Sequence, residues 1–223
     1  MNRSSWSTAG FLARVRAALG GADTDPGARA EGVDGVDGVE GVEEAEGTGG
    51  GARTGGGDGA GWAGGIGEQG GEETTAGVLA RLNRRGWAVL CDLGVPGSSE
   101  NLDFLVIGPQ GQVVLVDAEH WSAADGATVG MPGGRLSCGA EDRQELVDKL
   151  RRESRMVEDE LGAVAEAVAV VEGVPVDNGV FRSAGVWVVG PQHLWGAVLQ
   201  APTGHRDQAA LVRLAKGLFP PLG

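Results

Sequence analysis

Two runs of branched and aliphatic residues, Leu102 to Ile107 and Val113 to Val116, stand either side of Gly108-Pro109-Gln110-Gly111, a turn signal between β-rich segments. The pattern predicts a hairpin. Both runs are nearly continuous in apolar residues rather than alternating, so the hairpin is expected to be covered on both faces, inside a mixed α/β domain. Upstream, Val78, Leu79 and Leu82 mark the inner face of a helix over Glu72 to Arg85. Glu72 and Glu73 suit its positive first turn, and Arg84, Arg85 and Gly86 suit its end. Trp87 to Leu93 reads as a strand, and Val95-Pro96-Gly97-Ser98 as the turn leading into the hairpin. Downstream, the stretch to Gly134 is expected to be loop, followed by a short strand at Arg135 to Ser137. Leu146, Leu150, Val157, Leu161 and Val164 then recur at helical spacing, with Arg151, Arg152, Glu153 and Glu158 placed to remain wet. Ala167 to Val171 and Val186 to Val189 read as further strands, and Asp207 to Leu218 as a closing helix.

The acids of the hairpin change the picture from fold to chemistry. Asp103 sits inside the first apolar run and Asp117 closes the second. A buried, unpaired carboxylate is costly, so it normally finds a metal, a cation or hydrogen-bond donors. Residues two apart on a strand share a face, so Asp117 and Glu119 should project together while Ala118 turns away. Asp103, on the neighbouring strand, is placed to meet them. Such a convergence suits a hard divalent cation, which takes oxygen ligands. The plainer alternative is that Asp103 and Asp117 are strand-end carboxylates facing solvent or capping a turn.

Composition separates this domain from what precedes it. Residues 5–19 carry Phe11, Leu12, Val15 and Leu19 along one side, which predicts a short helix, either docked on a partner or frayed. Across 20–65, glycine and acids dominate, with Val33-Asp34-Gly35, Val36-Asp37-Gly38 and Val39-Glu40-Gly41 in a three-residue repeat. So little apolar surface cannot offset the entropy of ordering, and a disordered Gly/acid-rich tail is expected, with the folded domain over 66–223. Acids outnumber bases 31 to 18, a net charge of −13, which argues against broad adhesion to nucleic acid and leaves room for a local basic cleft. Nothing approaches the length of a membrane span, and neither a secretory signal nor a disulfide framework is legible; a cytoplasmic location is expected. Cys91 and Cys138 are too few and too far apart for a zinc motif. No phosphate-binding glycine loop stands between a strand and a helix, and His120, His193 and His205 lack the spacing of a triad.

Several motifs occurring in order resemble the nuclease-related domain, a branch of the restriction-endonuclease-like PD-(D/E)xK superfamily. They are Gly71-Glu72-Glu73-Thr74-Thr75-Ala76, Gly86-Trp87, Val95-Pro96-Gly97-Ser98, Asn101-Leu102-Asp103, Leu105-Val106-Ile107-Gly108-Pro109, Asp117-x-x-His120-Trp121, Gly134-Arg135-Leu136 and Gly185 to Pro191. The resemblance spans about residues 66–200. It implies a restriction-endonuclease-like mixed sheet flanked by helices, with a phosphodiesterase site on the central hairpin dependent on Mg2+ or Mn2+. By this resemblance Glu72, Asp103 and Asp117 hold the metal, Glu119 is a further ligand or base, and DNA is the candidate partner.

The chain departs from the family pattern at two positions. Asp103-Phe104 stands where the family usually reads Asp-His, and Asp117-Ala118-Glu119 where it reads Asp-x-Lys. The motif lysine is expected to orient the attacking water and to stabilise charge building on the phosphate. Losing one such preorganised donor commonly costs on the order of 100- to 1000-fold in rate. Weak or absent hydrolysis is therefore expected, the alternative function being a non-catalytic nucleic-acid or protein binding module on the same fold. Lys149, on the long helix, is the candidate substitute for the motif lysine; the bland reading is a surface lysine paired with Glu145 or Glu153. His120, beside Trp121, is expected to line the site without an assigned role.

Overall fold

The computed structural model describes residues 73–122 and 126–222, together with Ala17. The expected tail over 20–65, the rest of the 5–19 segment and Glu72 lie outside the described residues. The first helix, α1 (Thr75–Arg84), starts later than its charge pattern suggested. Thr74 is its N-cap and accepts from Gly77 N at 3.2 Å. Glu73 precedes the helix and pairs with Arg81 at 2.9 Å. The acid at the helix's positive end comes instead from far along the chain. Glu172 Oε1 accepts from Thr75 N at 2.9 Å and from Thr75 Oγ1 at 2.6 Å, which satisfies a first-turn amide and opposes the dipole.

After β1 (Ala88–Gly94) come the hairpin strands β2 (Asn101–Ile107) and β3 (Val113–His120). The predicted hairpin is present, antiparallel from Phe104↔Val116 to Ile107↔Val113. The next segment is more ordered than the expected loop. β4 (Val129–Gly130), β5 (Ser137–Cys138) and β6 (Glu141–Asp142) form a small antiparallel sheet, so the short strand falls at Ser137–Cys138 rather than Arg135 to Ser137. The long helix α2 (Gln144–Leu161) ends at Gly162, whose φ of 57° is the left-handed conformation that a helix stop favours. Val164 therefore lies beyond the helix, and at 61% exposure it is not part of the inner stripe. β7 (Ala165–Glu172), β8 (Val180–Ser183), β9 (Val186–Val189), α3 (Pro191–Leu199) and α4 (Gln208–Leu218) complete the fold.

The main sheet has six strands in the order β1-β2-β3-β7-β9-β8. β3, β7 and β9 run parallel, while β1-β2-β3 and β8-β9 are antiparallel neighbours. Alternation along the strands splits the core into two layers. Leu105, Ile107, Val113 and Leu115 face Leu146, Leu150, Val157 and Leu161 of α2 and Leu211 and Ala215 of α4. Phe104, Val106, Val114 and Val116 face Val78, Leu79 and Leu82 of α1 and Leu194 and Val198 of α3. Both faces of the hairpin are thus covered, as its unbroken apolar runs required. The β3-α2-β7 crossover joins parallel neighbours and carries α2 across the α2/α4 face, starting beside the end of β3. That path brings a helix onto the face to which Asp117 and Glu119 point. Among the described residues, no helix is long and apolar enough to cross a membrane.

Candidate functional site

Asp103 and Asp117 lie one step beyond the Phe104↔Val116 pair, at the end of the hairpin away from its turn. Both are buried. Asp103 Oδ2 accepts from Ala118 N at 3.2 Å, so the β3 backbone helps hold the carboxyl. Burial, and next the neighbouring Asp117 carboxylate, push Asp103 up to about 8. Two acids side by side in a dry place cannot both ionise cheaply.

The charge that answers Asp117 comes from α2. Lys149 Nζ stands 2.9 Å from Asp117 Oδ2 and 3.8 Å from Glu153 Oε1. Burial alone would lower the Lys149 ammonium, but Asp117, with help from Glu153 and Asp103, raises it above the usual lysine range. Lys149 does face Glu153, one of the two acids expected to pair with it, but its short contact is with a hairpin acid. Its side chain remains about a third exposed, so it borders both the acids and solvent.

Glu153 was expected to remain wet, and it is buried, its side chain 5% exposed. Burial first, partly offset by Lys149, pushes it up to about 7. The spacing from Leu150 to Glu153 to Val157 had already put it on the inward stripe of α2; only its charge spoke for the outside. Sequence reasoning missed it for that reason.

Glu119 shares the strand face of Asp117, while Ala118 packs on the opposite layer, as alternation predicts. Glu119 Oε2, however, accepts from Trp121 Nε1 at 3.1 Å. Burial and Asp117 raise the Glu119 carboxyl, and the Trp121 N–H, Lys149 and Arg143 draw it back. The Arg143 guanidinium lies over the Trp121 ring at 5.1 Å, so indole, carboxylate and guanidinium brace the end of β3 against the start of α2. His120 is exposed at that same end, opposite Glu172 of β7.

Among the described residues, no group of three or more His, Cys, Asp or Glu side chains is gathered closely enough to hold a metal ion. The acids that do meet are Asp103 and Asp117. Glu72 lies outside the described residues. Two carboxylates suit magnesium better than a full protein cage would, since that ion is commonly held by one or two carboxylates and keeps waters and phosphate oxygens for the rest.

An α/β domain with a mixed sheet between two helical layers, and an acid pair met by a helix-borne lysine at its central strand ends, is the class that fold and site define. The nuclease-related domain family matches residues 67–178, just over half of the chain, and the chain belongs to that family. No curated protein and no solved structure matches it.

Proposed function

We propose that the chain is a divalent-metal-dependent phosphodiesterase acting on nucleic acid, with Asp103 and Asp117 as metal-holding acids and Lys149 in place of the missing strand lysine. The observation that carries this reading is the 2.9 Å contact between Lys149 Nζ and Asp117 Oδ2. It puts a cation next to the acid pair from α2, where the strand offers Glu119. A lysine there is suited to orient a water and to meet the charge that builds on a phosphate. Glu119, turned to Trp121, acts as a brace for the strand end. Glu72 is a further candidate acid.

Magnesium or manganese, when bound, would supply charge neutralisation and an acidified water. Burial and Asp117 raise the Asp103 carboxyl, and a divalent cation bound beside the pair would return it to its ionised form. The acidic net charge confines DNA to a local cleft.

A second reading, a binding module without catalysis, draws on the same contact: Lys149 already neutralises Asp117. Plasmid nicking in Mg2+ or Mn2+ separates the two. Relaxed circles that vanish with Asp117→Ala support the phosphodiesterase. Salt-dependent DNA retention with no cutting in either metal would replace it with the binding module.

A further inference from the structure

Glu153 presents an anomaly that the acid pair alone does not explain. It lies on α2 one turn beyond Lys149, nearly sealed from solvent, and its Oε1 has no hydrogen-bond partner. Buried carboxylate oxygens are nearly always satisfied, because an unmet acceptor forfeits its hydration without replacement. The ion pair that reaches this oxygen is Lys149 Nζ at 3.8 Å, too long for a hydrogen bond. The other charges acting on Glu153 are Asp117 and Glu100, which favour its neutral form, and Arg152, which favours its ionised form. Lys149 therefore stands between two buried acids, close to one and loosely facing the other.

We propose that Glu153 is a positioning residue, the second seat of the Lys149 ammonium, taken up when a divalent cation occupies Asp117. This rests on the metal-dependent reading above. A cation at Asp117 repels the ammonium and competes with it for the same carboxylate. A Lys149 ammonium drawn off Oδ2 would have two destinations on its flexible four-carbon stem, solvent or Glu153. Closing the 3.8 Å gap fills the empty acceptor and keeps the positive charge beside the acid pair. No bond is made or broken; one ion pair is exchanged for another. Glu153 thereby decides whether the site keeps its lysine once the metal arrives.

The chain has only two lysines, Lys149 and Lys216, which makes the movement observable. In full-length protein labelled with 15N-lysine, Lys149→Arg identifies the buried ammonium signal. Saturating Mg2+ should shift that signal while leaving it protected from solvent exchange, and in Glu153→Gln the same addition should broaden it away. By calorimetry, Glu153→Gln should weaken Mg2+ binding by roughly fivefold, the worth of a partly exposed ion pair. In a Lys149→Met background the same change should alter affinity by less than about twofold, since no ammonium needs a seat. Glu153→Asp, which keeps the charge on a shorter arm, should restore part of the loss. An equal loss in both backgrounds would make Glu153 a packing residue and overturn the proposal, as would an ammonium signal that Mg2+ leaves in place. If Glu153→Gln fails to fold, the wild-type signal decides alone. Wild-type protein that binds no Mg2+ overturns both readings; Mg2+ binding lost in Asp117→Ala but indifferent to Glu153 overturns only this one.

Discussion

Replacing Asp103 by Asn removes one of two carboxyls packed together at the hairpin end, while leaving an oxygen to accept from Ala118 N. The Asp103 carboxyl titrates near 3.8 in the unfolded chain and about 8 in the fold. Between those values the native state holds a proton that the unfolded state has released, so stability falls as pH rises, by up to about 1.4 kcal/mol per pH unit. The Asp103→Asn variant would carry no such slope. Near pH 4 the two proteins should therefore melt together, and at pH 8 in EDTA the variant should be the more stable. A slope sustained over the whole interval would integrate to about 5–6 kcal/mol. Local relaxation and water entry let the ionised carboxylate regain part of its solvation, so we expect about 2–3 kcal/mol, roughly 5–10 °C in melting temperature. Glu153, pushed up to about 7, adds a second falling slope to both proteins, so the difference between them is the quantity to read. Thermal melts from pH 4 to 8 measure it. Saturating Mg2+ should then narrow or reverse the order, because the wild type gains binding energy that the variant lacks. A gap that does not widen with pH, or a variant that is less stable at pH 8, would mean that Asp103 is not held against Asp117.

Two further outcomes follow from neighbouring contacts. Glu119→Lys restores the family's residue type but severs the Trp121 brace, so plasmid nicking should not rise above the wild-type rate; a large gain would return the catalytic cation to the strand. Gly173 has φ +85°, and a Cβ there would collide with the Trp121 carbonyl oxygen. Gly173→Ala should cost about 2–3 kcal/mol in denaturant unfolding, from the strained conformation and the displaced strand end together; a loss below about 0.5 kcal/mol would show that β3 yields freely there.

The hairpin and the long helix were legible because each signal was local: apolar runs around a turn, and apolar residues at helical spacing. The pairing of Asp117 with Glu119 on one face also followed from strand alternation alone. What escaped was set by groups distant in sequence. Glu172 serves the N-terminus of α1 across 97 residues, and nothing in the local pattern around either announces it. Lys149 was legible in the sequence as the candidate cation, but its short contact with Asp117 across 32 residues was not, because it depends on the β3-α2-β7 crossover laying α2 over the hairpin's acid face. Glu153 shows two local rules in conflict. Spacing put it inside and charge put it outside, and the cation one turn away is what lets spacing win.

The role of Lys149 is open to one direct measurement: single-turnover cleavage of a DNA duplex in Mn2+ by wild type, Lys149→Arg and Lys149→Met. If α2 supplies the catalytic cation, Lys149→Met should lose on the order of 100-fold or more in rate at saturating DNA. Its DNA affinity should be nearly unchanged, with Lys149→Arg falling between the two. Cleavage by Lys149→Met at the wild-type rate would contradict that assignment outright.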